Sequence, residues 1–308
     1  MPKDAFGKTF SSKCFFHLWR KSVPLYCILA VLASVNADAD QETKGEALLR
    51  KAGVAYAGGN RDEAIRLATQ AIETVPKDVR AHLVRARFYS ETHQPAKAIA
   101  DYDQALKIEP QMANALQHRG EEHFKSGHIN QALADFDTYI ALVPDKAAYL
   151  WQRGIACYYA ARFEDGRKQF ELHRTVNPND VENAVWHFLC VAQSAGLDHA
   201  RAALIPIKGD ARVPMMQIFA LFDGKAKSED VLKAACTATE QPGRAMFYAH
   251  LYLGLYAEAN GDMAQAREHI ARAAGEYRTD DYMGDVARVH LLLRAPGEKP
   301  GSGQSKAQ

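Results

Sequence analysis

The chain has 308 residues, 47% hydrophobic and 24% charged, with 38 Lys and Arg against 37 Asp and Glu, a formal charge of +1. That near-balance argues against the global basic field of a nucleic-acid binder and the acidic excess of a disordered chain. Five scattered cysteines are too few for a disulfide scaffold. The long Ala-, Leu-, Glu- and Arg-rich stretches lack the spaced strand signals of an all-β domain, which leaves a mostly helical protein.

The first element is a leader, residues 1–39. Lys3, Lys8, Lys13, Arg20 and Lys21 precede an apolar run from Val23 to Val35. Small side chains then stand at the −3 and −1 positions of Val35-Asn36-Ala37 and Ala37-Asp38-Ala39. This is the pattern of a secretory signal peptide. The apolar core, residues 22–37, is shorter than the roughly 20 residues a spanning helix needs, so cleavage and export are expected ahead of a retained anchor through 22–37. Cys27 follows Tyr26 rather than a small residue, which does not support lipoprotein cleavage there. Without the leader the chain has 33 basic and 35 acidic residues and three cysteines, Cys157, Cys190 and Cys236. They read as buried, unpaired thiols.

From residue 40 the chain repeats. Pro76, Pro110, Pro144 and Pro178 are each 34 residues apart. Twelve residues before each stands a small residue (Ala64, Ala98, Ala132, Gly166), and eight before stands Ala68, Tyr102, Phe136 or Phe170. Twenty-four before comes Ala52, Ala86, Gly120 or Gly154. A constant stride of this length marks stacked helical hairpins. Small residues allow two antiparallel helices to approach, the aromatic is expected to fill the space between one pair and the next, and the proline ends the second helix. Gly59 and Gly127 are placed to make the interhelical turn.

The segments LQHRGEEHFKSGHINQALADFDTYIALVP (Leu116 to Pro144) and LWQRGIACYYAARFEDGRKQFELHRTVNP (Leu150 to Pro178) resemble the tetratricopeptide repeat (TPR). The resemblance implies an all-α fold, a right-handed α-solenoid of stacked antiparallel helix pairs. Its array covers 40–204, with units at about 45–78, 79–112, 113–146 and 147–180 and a degenerate fifth from 181. Pro206 interrupts the fifth unit. An irregular helical segment follows over 205–245, with Ser228 a candidate N-cap and Pro214 at a helix start. A late TPR-like unit plus capping helix spans 246–294, with Gly254, Gly261, Ala266 and Ala273 in the expected columns, and the Pro/Gly/Ser-rich tail 295–308 reads as disordered. A weaker resemblance is to bacterial envelope TPR lipoproteins of the Nlp type, adaptors for envelope peptidases and wall hydrolases.

In TPR register the first helices line a concave groove. Its candidate partner-binding residues are Arg80, Leu83, Arg87, Glu91, Asn114, Gln117, Glu121, Phe124, Trp151, Tyr158 and Tyr159, with Glu182, Val185 and Gln193 in the degenerate fifth unit. Arginine would take a carboxylate and the aromatics would anchor apolar side chains of an extended peptide or helix. Alternatively, Trp151 and Tyr159 belong to the core. Arg85, Arg119 and Arg153 recur in one column and suggest inter-repeat ion pairs, Arg119 with Asp101 and Arg153 with Asp135.

No HExxH, GxSxG, GxxxxGK[ST] or CxxC motif is present. His118, His123 and His128 are five residues apart and do not share a helix face; Trp186, His187 and Cys190 read as core packing. No catalytic residue, cofactor or metal site is expected. The expectation is an exported, periplasmic or secreted scaffold that binds a protein or peptide, with self-association left open. The competing readings are an enzyme with a site in 200–245 and a membrane-anchored envelope assembly factor.

Overall fold

The computed structural model describes the backbone of residues 25–294 and the side chains of 40–294. The basic leader, the side chains of the apolar run, both cleavage motifs and the tail 295–308 lie outside the described residues. Among these residues every regular element is helical, and no helix is long and apolar enough to cross a membrane.

The helices are α1 (Leu25–Ala57), α2 (Arg61–Thr74), α3 (Val79–Glu91), α4 (Pro95–Ile108), α5 (Ala113–Lys125) and α6 (Ile129–Leu142). A 3-10 turn at Pro144–Tyr149 leads into α7 (Trp151–Tyr159), α8 (Phe163–His173), α9 (Val181–Ala195) and α10 (Leu197–Ala202). Then come α11 (Met215–Phe222), α12 (Ser228–Cys236), α13 (Pro242–Ala259), α14 (Met263–Ala274) and α15 (Tyr282–Leu293). They form a TPR-like solenoid of stacked pairs. The chain divides into two compact units, with the break after Ala81.

In the first unit α1 and α2 bury Ala52, Ala64, Leu67, Ala68 and Ala71 against each other. Asn60 caps α2 by accepting from Glu63 N at 3.3 Å. In the second unit one offset, sixteen residues, recurs in each hairpin. A Cβ on Gly120 would stand 2.7 Å from the Phe136 ring, one on Gly154 2.6 Å from Phe170, and one on Gly254 2.6 Å from Ile270. Each second-helix side chain therefore lies over the missing Cβ of its own hairpin, rather than between hairpins as the column pattern suggested. Gly166 marks a close approach to the next pair: its Cβ would meet Cys190 Sγ at 2.7 Å and Gly154 O at 3.2 Å.

The arginine column uses the same offset, which corrects the expected pairing. Arg85 reaches Asp101 (2.7 and 2.8 Å) and Arg119 reaches Asp135 (2.6 and 2.8 Å), both within a hairpin. The contacts between hairpins go to acids two residues further on: Arg119 to Asp103 at 2.7 Å and Arg153 to Asp137 at 2.6 Å. His187 continues the column with Glu171 at 3.4 Å. The reason is helical phase: Asp101 and Asp135 are buried toward their own partner helix, whereas Asp103 and Asp137, about 200° further round, face the next hairpin.

The turns share one conformation. Gly59, Gly127 and Gly261 have φ of +81°, +77° and +82°, and His93 and Ala161 hold the equivalent position at +54° and +57°. A Cβ there carries a left-handed cost that glycine avoids. Ala161→Gly is therefore expected to raise unfolding free energy by about 1 kcal/mol in urea titrations. Asp135→Ala, which leaves Arg119 without its buried partner, is expected to cost about 3 kcal/mol, and Arg119→Met with Asp135→Leu to recover most of it.

Candidate functional site

The expected groove residues fall into three groups. Arg80, in the first unit, is exposed and bound to Asp78 at 3.0 Å. In the second unit Arg87 and Glu91 are exposed and pair with each other at 2.8 Å. Leu83 is half-buried, Asn114 exposed, and Gln117 donates to Glu121 at 3.3 Å. These residues form a polar strip. The aromatic group differs from the expectation: Phe124 and Tyr158 are core, 0% and 1% exposed, and Trp151 and Tyr159 are only half-exposed.

For Phe124, Trp151 and Tyr159 the cause is α15. It folds back onto α5 and α7 and buries Met283, Val286 and Val289. Tyr282 stacks on Phe124 at 5.3 Å and meets Trp151 edge-on at 5.1 Å. The Tyr159 hydroxyl and His290 Nδ1 share a hydrogen bond at 3.1 Å, and His290 Nε2 lies 3.3 Å from Glu258, which also takes Arg294 at 2.8 Å. Burying that many apolar side chains is worth about 1.5–3 kcal/mol each, so α15 is a permanent wall of the fold.

What stays open is a cavity of about 330 Å³ whose walls come mainly from α7, α8, α9, α13 and α15. Trp151, Phe170, Trp186, Tyr248 and Tyr282 supply its aromatic lining. Charge enters in two clusters. Arg212 binds Asp180 (2.7 Å), Asp210 (2.6 Å) and Glu182 (2.5 Å). Arg244 binds Asp281 at 2.9 Å and the Tyr248 hydroxyl at 3.1 Å. Both guanidinium groups lie over the Tyr248 ring, 5.9 and 5.5 Å from its centroid. Glu182 is buried beside the Tyr252 hydroxyl (2.6 Å); burial raises its pKa against the pull of Arg212. A second cavity of about 500 Å³ shares Arg212, Arg244 and Tyr248 with the first.

Three buried polar atoms on this wall are unmatched among the described residues, Asn183 Oδ1, Trp186 Nε1 and the Tyr282 hydroxyl. Asn183 donates Nδ2 to Phe170 O at 3.0 Å but leaves Oδ1 without a donor, and Trp186 leaves its indole N–H without an acceptor. Unmatched buried groups are costly, so this wall is better suited to contact with a bound molecule than to packing alone.

Of the sequence-derived residues the cavity gathers Trp151, together with Glu182 from the degenerate unit; Arg212, Trp186, Tyr248, Arg244 and Tyr282 were missed as site residues. A signal existed for one of these. Tyr248 lies six residues before Gly254, as Asn114 lies six before Gly120, which places it in the groove-facing column. Nothing periodic marks Arg212, Arg244 or Tyr282.

Reactive groups elsewhere are muted. No cluster of three or more His, Cys, Asp or Glu suited to a metal occurs among the described residues. The three thiols are unpaired; burial pushes Cys157 up to about 11 and Cys190 higher still, while Cys236, against expectation, is exposed on the short helix α12. His123 and His128 come within 5.7 Å because His128 sits in the turn after α5.

The tetratricopeptide repeat family model matches residues 49–113 and 228–281, the second stretch beginning at α12. No curated protein matches the chain. Among solved structures, a tetratricopeptide repeat protein from Parabacteroides merdae superposes with a TM-score of 0.56 at 16% identity, covering 82% of this chain and 98% of that one. MamA gives 0.49 at 16% identity over 61% of this chain and 94% of its own. PilF of Pseudomonas aeruginosa gives 0.46 at 13% over 82% and 99%. At these identities the likeness is one of fold.

The α15 contact has a pH signature. Burial lowers the His290 pKa to about 4, with Arg294 adding to the effect and Glu258 opposing it. An unfolded histidine titrates near 6.5, so between the two values the unfolded chain binds more protons and stability falls with acidification. From pH 7 to pH 5 this one group should remove about 2 kcal/mol. His290→Gln should flatten that part of a melting-temperature profile.

Proposed function

Because the chain is a tetratricopeptide repeat protein, a fold that serves as a protein-binding scaffold, we propose that it binds its partner at the aromatic cavity between α7, α8, α9, α13 and α15. The observation that carries this reading is the cavity's make-up: five aromatic side chains, two arginines and three unmatched polar atoms. Rigid aromatic and arginine side chains in a partly desolvated pocket are the features of binding hot spots. The polar strip of Arg87, Glu91, Asn114 and Gln117 offers solvated charge and amide groups and would act as a rim.

We read the chain as a scaffold without a catalytic centre of its own. The segment 200–245, where the competing enzyme reading places its site, contributes Arg244 and Arg212, the latter held by three carboxylates and suited to shaping a pocket. We also propose export, on the strength of the basic leader, the apolar run and the two small-residue motifs.

Two measurements test this. With extract of the source cells, the wild-type chain should retain a partner that a Trp151→Ala, Tyr248→Ala variant of matching melting temperature loses; undiminished capture would move the site elsewhere. Sequencing of the mature N-terminus should begin at Asp38 or Asp40; an intact Met1 on the processed protein would end the export reading.

A further inference from the structure

We propose that this cavity takes a lysine or arginine side chain from an extended segment of the partner. The inference rests on the scaffold reading above and concerns the chemistry of what is bound.

The first argument is charge. Asp180, Glu182 and Asp281 line the cavity, and Asp210 stands behind Arg212; against Arg212 and Arg244 these four carboxylates leave an excess of two negative charges in a partly desolvated site. Coulomb energies there exceed those in water several-fold, so an incoming cation is favoured and an incoming carboxylate must break pairs already made. Arg212 is committed to three carboxylates. Arg244 gives Nη2 to Asp281 and Tyr248.

The second argument is the wall. Trp151 and Tyr282 present half-exposed indole and phenol rings, the surfaces on which ammonium and guanidinium groups settle, with Trp186 buried behind them. The chain shows this preference itself, since Arg212 and Arg244 both lie over Tyr248. A cavity of about 330 Å³ admits a long side chain with some of its backbone.

The third argument separates a peptide from a free cation. A small amine offers donors only and would leave the Trp186 indole N–H unmatched. A peptide unit carries one donor and one acceptor; the unmatched wall atoms are the acceptor Asn183 Oδ1, the donor Trp186 Nε1 and the Tyr282 hydroxyl, which can serve as either. The basic side chain would meet the carboxylates while its own backbone offers both kinds of partner to these atoms.

The sequence has three tryptophans, and Trp19 lies in the leader, so a Trp19→Phe chain reports through Trp151 and Trp186 alone, both on the cavity wall. Its emission should be titrated with the capped peptide Gly-Leu-Lys-Leu-Gly, with versions carrying Gln or Glu for Lys, and with cadaverine. The Lys peptide should bind at least about 10-fold more tightly than the Gln peptide. Arg244→Gln, which removes a competing positive charge at a half-exposed position, should tighten it about threefold. Tighter binding of the Glu peptide, weakened by Arg244→Gln, would overturn the charge assignment while leaving the scaffold reading intact. Cadaverine binding as tightly as the Lys peptide would overturn the peptide assignment. No emission change with any ligand up to millimolar concentration would overturn the inference outright, and the pull-down would decide the scaffold reading separately.

Discussion

The second unit depends on a single register, sixteen residues between a position on the first helix of a hairpin and its counterpart on the second. At that offset Phe136 and Phe170 lie over glycines, and Arg85 and Arg119 lie against aspartates. The two contacts are complementary. The glycine–aromatic crossing sets how close the helices come, and the buried ion pair penalises any slip along them, because a shifted arginine would lose its partner without regaining water. Arg119 and Arg153 each also take an acid on the preceding hairpin, so the column that fixes the hairpin also fixes the stack.

On this frame α15 acts as a closure rather than a cap. A solenoid of this kind normally offers its concave face to partners. Here Phe124 and Tyr159 of that face are covered by the chain's own last described helix, through stacking on Tyr282 and a hydrogen bond to His290. Binding surface is thereby moved to the cavity beside Trp151, where groups from five separate stretches of chain meet.

Much of the fold was legible because its contacts are local and periodic. Proline spacing and small-residue columns placed α2 to α8 and located α13 and α14. The ion pairs were legible in kind but shifted by two residues in partner, since the column pattern alone does not tell which side of the second helix an aspartate faces. The site was legible mainly through Trp151 and Glu182, both in groove-facing columns. Phe124 was misjudged for the converse reason: what stacks on it lies well over a hundred residues further along, in a helix with no counterpart in the repeat; Tyr158 is core because it packs on Phe163 and on Trp186 of the degenerate unit. Arg212 belongs to the off-pattern segment, where no column predicts direction. Cys236, expected to be buried, is exposed because α12 turns only Val231 and Ala235 inward.

The contact from α15 back to α5 also bears on how this chain can change over time. Repeat arrays commonly lengthen or shorten by duplicating or deleting whole modules, since each module touches only its neighbours. Between α5 and α15 that freedom is gone: an extra hairpin would carry Tyr282 away from Phe124 and Trp151 and open the ring of contacts they make. The number of modules in this stretch is locked by geometry, and diversification is confined to substitutions within it.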